Sequence, residues 1–155
     1  LIDRFIKSLN ISKDDGLLLV GHGGLGSGNS SYGNLQFKLI RDGLTNVRIA
    51  VLENAPYVAD VAMPWEWLDG KRPNTIYLHP LLLVLGDHAQ NDLFGDEEDS
   101  VVNELTEAGY EVKSINAGLG EYEVIQDIFR QHLQDCIDDL YGKRSPHRPA
   151  IPNIK

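Results

Sequence analysis

The apolar positions change period several times along the chain. Leu1, Ile2, Phe5, Ile6 and Leu9 recur at helical spacing and predict a first helix. Gly16 ends that segment. Residues 17–20 (LLLV) are then an unbroken apolar run, the pattern of a strand buried on both faces. Residues 31–39 predict a second helix, stopped near Gly43, and 47–52 (VRIAVL) a second strand. Pro56, with Asn54 as its cap, opens a helix expected to reach Gly70. Residues 75–85 read as a third, long strand interrupted by Pro80. A helix over 97–108, closed by Gly109, and a fourth strand over 110–115 follow. Residues 121–141 predict the longest helix, with Val124, Ile125, Ile128, Phe129, Leu133 and Ile137 as its apolar stripe.

Alternating strands and helices predict an α/β fold: a three-layer open sheet of about four parallel strands, with helices on both faces and right-handed crossovers. At 155 residues the chain suffices for one domain with a core and is short for two. Residues 1–141 are expected to form that single domain. Residues 142–155 (GKRSPHRPAIPNIK) have three prolines, four basic residues and no periodicity, and read as a tail or linker.

An apolar fraction of 42% with 24% charged residues is that of a soluble globular protein. No apolar stretch is long enough for a transmembrane helix, and the first ten residues lack a signal-peptide core. The chain opens on Leu1 rather than Met, which leaves a removed signal open. The single cysteine, Cys136, excludes an internal disulfide and suits a reducing compartment, so a cytoplasmic location is expected. A net charge of −9 argues against nucleic acid or an anionic membrane as partner and is compatible with a metal ion.

In an open parallel sheet, ligands bind beyond the carboxyl ends of the strands. The predicted ends carry Gly21-His22-Gly23-Gly24, Glu53-Asn54, Gly86-Asp87-His88 and Asn116-Ala117-Gly118-Leu119-Gly120. Each has an ordinary reading alone: a loop histidine bonded to backbone, a capping or surface carboxylate. Two histidines and a carboxylate at the ends of three successive strands weaken that reading. His79, inside the third predicted strand, suits a structural role or the edge of a site. His132 and His147 suit the surface. The loop GHGGLGSGN contains the spacing of a dinucleotide loop. A histidine in the tight turn, a delayed helix and a poorly met downstream acid count against that use. Asp96-Glu97-Glu98-Asp99 suits the first turn of a helix, where carboxylates favour the helix dipole; a weak exposed cation site is the alternative. Met63, Trp65 and Trp67 suit packing.

These residues occur in segments that resemble the class II tetrapyrrole chelatases, and within them the catalytic half of the anaerobic-type sirohydrochlorin cobaltochelatases. The segments are Gly21-His22-Gly23, Val51 to Pro56 (VLENAP), Pro80 to Leu93 (PLLLVLGDHAQNDL), Asp99-Ser100 and Gly118 to Phe129 (GLGEYEVIQDIF). The GDHAQND piece is the most specific. The resemblance implies a lyase of cobalamin biosynthesis that inserts a divalent metal, Co2+ foremost and Ni2+, Fe2+ or Zn2+ as alternatives, into sirohydrochlorin or a related tetrapyrrole. It implies His22 as metal ligand and base, Glu53 beside it as ligand and catalytic partner, and His88 as ligand. Gly23, Gly24, Gly86, Asp87, Gly118, Leu119 and Gly120 are the implied contacts to the macrocycle. Imidazole suits these metals, and removing two pyrrole protons needs a base near neutral pKa.

Long members of the family have two similar halves with the tetrapyrrole between them, and this chain resembles one. It fits a piece of a longer protein with its N-terminal half missing, a short form that dimerises, or a non-catalytic metal- or tetrapyrrole-binding module. The many carboxylates of sirohydrochlorin are repelled by a −9 chain. The glycine-loop N–H groups, or Lys38, Arg41, Arg48, Lys71 or Arg72, are the candidates to hold them.

Overall fold

The computed structural model describes residues 2–63, 65–66 and 71–143. In chain order the elements are α1 (Ile2–Ser8), β1 (Gly16–Gly23), α2 (Ser30–Arg41), β2 (Val47–Glu53), α3 (Val58–Val61), β3 (Thr75–Pro80), α4 (Asp87–Phe94), α5 (Val101–Glu107), β4 (Glu111–Ser114) and α6 (Glu123–Leu140). Short 3-10 turns at Gly26–Asn29 and Leu119–Glu121 lead into α2 and α6. The strands form one sheet in the order β2-β1-β3-β4, and every pairing is parallel. The expected α/β class and four-strand parallel sheet are both present.

Side chains alternate across a strand, so β1 feeds two cores. Leu18 and Val20 join Ala50, Ile76, Leu78, Leu93, Val101 and Leu105 in a core beneath α3, α4 and α5. Leu17 and Leu19 join Phe5, Ile6, Leu39, Ile49 and Ile125 beneath α1, α2 and α6. Three helices thus cover each face, which is why the central strands carry no polar alternation.

Three expectations need correction. The third strand stops at Pro80 rather than at residue 85. Proline has no N–H to donate to the ladder, and the next amide, Leu81, bonds out to Val20 O at 2.7 Å before the chain leaves the sheet. Residues 81–86 are a loop, and α4, absent from the sequence-based expectation, begins directly after it. Its apolar pair Ala89 and Leu93, four residues apart, is buried. The helix opened by Pro56 is only the four residues of α3; Asn54 has a left-handed φ of +66° and does not cap it. Part of its expected length, residues 64 and 67–70 with Trp67, lies outside the described residues. Finally, α5 starts at Val101, so Asp96–Asp99 precede the helix instead of forming its first turn. Of the expected tail, residues 144–155, including His147, also lie outside the described residues.

Candidate metal and proton-transfer site

The carboxyl edge of the sheet is built from the segments that leave β1, β2, β3 and β4. β1 runs three residues past its apolar stretch, so His22 still lies in the strand, on the parity of Leu18 and Val20. Parallel pairing aligns Gly21 with Val51 and Gly23 with Glu53. This register sets His22 Nδ1 3.9 Å from Glu53 Oε2, with side chains 61% and 58% exposed. That distance is an electrostatic contact rather than a hydrogen bond. It leaves Nε2 on the far side of the ring from the carboxylate.

Two asparagines hold this pair: Asn54, expected as a helix cap, and Asn29, for which the sequence suggests no role. Asn29 Nδ2 donates to Glu53 O at 3.1 Å and Ala55 O at 2.9 Å. Asn54 Nδ2 donates to Gly24 O at 2.9 Å. The loops after β1 and β2 are therefore strapped in both directions. The signal open to the sequence was the residue type alone: asparagine tolerates the left-handed region, φ +66° at Asn54, better than most residues. Tyr32, in the first turn of α2, lies over Gly21, where a Cβ would meet its ring at 2.6 Å.

His88 arrives differently from expectation. It is eight residues past the end of β3, in the first turn of α4 behind Gly86 and the exposed Asp87. The loop, not the strand, brings it to this edge, on the side of the sheet that α4 covers and that His22 shares by parity. Among the described residues, no three potential metal-ligating side chains cluster.

The glycines divide into two groups. A Cβ at Gly24 or Gly86 would meet nothing within 4 Å, so both positions are open. Gly23 has φ +83°, and a Cβ there would lie 2.0 Å from Glu53 O. Gly118 and Gly120 lie against the backbone of residues 83–85, with Leu83 O at 2.8 and 3.0 Å from the Cβ each lacks. These three are glycines because backbone occupies the space. Leu119 N donates to Leu82 O and Gly120 N to Leu83 O, so the loops after β3 and β4 are zipped together. Leu119 packs towards the second core. Glu121 closes the turn by accepting from Gly118 N at 2.7 Å.

His79 is wholly buried. Its Nδ1 lies 2.7 Å from Pro80 O, which can only accept, so Nδ1 carries the proton. Nε2 then accepts from the Tyr122 hydroxyl at 2.8 Å. Burial holds its pKa below the ordinary 6.5, against the opposing pull of Pro80 O and the Glu121 carboxylate. Burial, reinforced by Glu121, also pushes the Tyr122 phenol up. Phe5 meets both rings edge-on at 5.2 and 5.0 Å. Of the two roles expected for His79, structural or at the edge of a site, its burial and its two occupied ring nitrogens fit the first.

The cations expected to meet substrate carboxylates lie elsewhere. Lys38 pairs with Asp3 and Asp42, and Arg41 with Asp42. Arg48 stacks over Trp65. Arg72 stacks over Tyr110 and donates to Ala108 O. Lys38 and Arg41 sit in the last turn of α2, Arg48 at the start of β2, and Lys71 and Arg72 ahead of β3, all towards the amino ends of the strands. Cys136 is exposed on α6. Among the described residues, no helix is long and apolar enough to cross a membrane.

Residues 1–138 match the family model described as Cobalt chelatase (CbiK). The chain is 27% identical over 129 residues to the sirohydrochlorin cobaltochelatase of Salmonella typhimurium, covering 83% of this chain and 47% of that protein. It is 29% identical over 127 residues to the sirohydrochlorin cobaltochelatase CbiKC of Nitratidesulfovibrio vulgaris, covering 82% and 44%. It thus spans less than half the length of these curated relatives. The match extends over nearly all the described residues, including the edge that carries His22, Glu53 and His88: the chain belongs to the cobalt chelatase (CbiK) family.

Proposed function

We propose that this chain is the metal-handling, proton-accepting half of a cytoplasmic chelatase that inserts Co2+ into sirohydrochlorin or a closely related tetrapyrrole. The observation that carries the reading is the His22–Glu53 pair, 3.9 Å apart and open to solvent at the ends of adjacent strands, with the start of α4 at the same edge. Open backbone at Gly24 and Gly86 supports approach by a flat ligand.

Glu53 facing Nδ1 favours the tautomer with the proton on that atom, which leaves the Nε2 lone pair for a metal or a proton. His88 is the second ligand. Insertion replaces two pyrrole N–H bonds with metal–nitrogen bonds, so two protons must leave. His22 takes one as its Nε2 is released from the metal, and the exposed edge passes the other to water. Cobalt is substrate here rather than a resident cofactor.

The test is the visible absorption of sirohydrochlorin mixed with Co2+ and this chain, against His22→Ala and a protein-free blank. Conversion above both controls is expected once the second half of the cleft is supplied. Equal rates for wild type and His22→Ala in that complete system would sink the assignment. A non-catalytic binding module is the second reading, favoured by the chain's spanning only 47% and 44% of its relatives. It predicts stoichiometric cobalt binding with no product under any condition.

A further inference from the structure

The loop GHGGLGSGN closes on Asn29, the residue immediately before α2. An asparagine there ordinarily bonds the free amides of its own helix. Asn29 makes no such bond. Its side chain reaches instead to the loop after β2, where Nδ2 donates to Glu53 O at 3.1 Å and to Ala55 O at 2.9 Å. Two serines pin the turn that presents it. Ser30 Oγ donates to Ser27 O at 2.7 Å, and Ser31 Oγ to Gly28 O at 2.6 Å. The late start of α2 thus sets a side-chain amide, rather than a helix end, beside the second strand.

The two carbonyls it holds flank Asn54, whose left-handed φ turns the chain. Among the described residues, no backbone amide outside the helices and strands donates to either of them. Register with Gly23 and the bond from Asn29 together fix the main chain of Glu53. Only side-chain torsions then remain to set the 3.9 Å between its carboxylate and His22 Nδ1. We infer that Asn29 is a positioning residue of this pair. It fixes where the Glu53 carboxylate stands against His22, and so sets the affinity and geometry with which the two take a divalent cation. Asn29 acts through Glu53 and touches neither metal nor substrate. The inference rests on the proposed function for the role of the pair.

The probe is Co2+ alone, titrated by calorimetry into the 155-residue chain at constant pH. Asn29→Ala is expected to weaken binding about tenfold, the scale of losing a group that orients a metal ligand. Asn29→Asp keeps the shape, replaces the donor with an acceptor and adds a negative charge. Charge alone would tighten cation binding, whereas loss of positioning leaves it weaker than wild type. In a Glu53→Ala background, Asn29→Ala should change affinity by less than about twofold, because no carboxylate is left to position. The visible d–d absorption of Co2+ at saturation should differ between wild type and Asn29→Ala. It should be the same for Glu53→Ala with and without Asn29. Unchanged affinity and spectrum in Asn29→Ala, tighter binding by Asn29→Asp, or an equal loss with and without Glu53 would each overturn the inference. Cobalt uptake that needs His22 and Glu53 but ignores Asn29 defeats this inference alone. Uptake that is absent, or indifferent to His22 and Glu53, defeats the proposed function and this inference with it.

Discussion

β1 and β3 lie side by side in the sheet, and each carries a histidine close to its carboxyl end. His22 stands past the last covered position of β1, mostly exposed, with a carboxylate 3.9 Å away and Nε2 unengaged by that partner. His79 stands one residue before the end of β3 with both ring nitrogens occupied, one by Pro80 O and one by the Tyr122 hydroxyl. The residue type is the same and the strands are neighbours. The chemistry differs because Phe5 of α1 and Tyr122, just ahead of α6, cover His79, whereas His22 is mostly exposed. A histidine can hold a metal or accept a proton only where a lone pair is left over. Here that criterion separates the two more cleanly than position along the strand.

The contrast breaks most sharply with alanine. His22→Ala should lower the rate of cobalt insertion by about a hundredfold or more, the scale of a lost general base. Thermal unfolding should stay within a degree or two of wild type, because an exposed ring contributes little to packing. His79→Ala should act the other way, through stability. It opens a cavity among Phe5, Leu19 and Tyr122 and strands a partly buried hydroxyl, so a loss of about 3 kcal/mol is expected in urea titration. If His79→Ala left the urea midpoint unchanged, the structural assignment would fail.

How much of this was legible in the sequence depends on what the residues pack against. β1 and β2 read correctly because strands covered on both faces carry apolar runs, whereas the largely exposed β4 (EVKS) was bounded by the stop at Gly109 and by Tyr110 and Ile115 rather than by an apolar run of its own. The error at β3 has a physical cause. Leu81–Leu85 is as apolar as a core strand, but Leu83 and Val84 are exposed, and a sequence cannot distinguish burial in its own core from an uncovered rim. Pro80 was the usable stop signal. α4 was missed because it is eight residues long and polar, with Ala89 and Leu93 the buried ones among its described side chains. That His22 and Glu53 share one edge was legible from strand ends alone, since parallel register converts positions past two apolar runs into spatial neighbours. The roles of Gly23, Gly118 and Gly120 were not legible. A glycine that admits a ligand and one that admits a neighbouring carbonyl are the same letter.

Acid sharpens the comparison by a smaller amount. Burial lowers the pKa of His79 in the folded protein below the 6.5 of an exposed imidazole. Above 6.5 both folded and unfolded states hold it neutral, and stability does not depend on this group. As pH falls below 6.5, the unfolded chain binds the proton first, and stability drops by up to about 1.4 kcal/mol per pH unit until the folded pKa is reached. His79→Leu removes the group and should flatten that part of the profile. The measurement is the difference between wild-type and variant urea midpoints from pH 7.5 to 5; a pH-independent difference would mean His79 is not held neutral.

The smallest expected effect tests the bond rather than the ring. Tyr122→Phe keeps the aromatic contact with Phe5 and removes only the donor to His79 Nε2. The unpaired nitrogen is buried, and a neutral hydrogen bond of this kind contributes about 1 kcal/mol, so a loss of that order is expected in urea. The consequence should also be local. Tyr122 follows directly on the turn whose Leu119 and Gly120 amides bond to the loop after β3. Those two amides should exchange with deuterium faster in the variant, while amides in β1 and β2 keep their protection. Uniform loss of protection would mean that the hydroxyl supports the whole core. Unchanged exchange at Leu119 and Gly120 would mean that the zipped loops hold without it, and that His79 is buried for its ring alone.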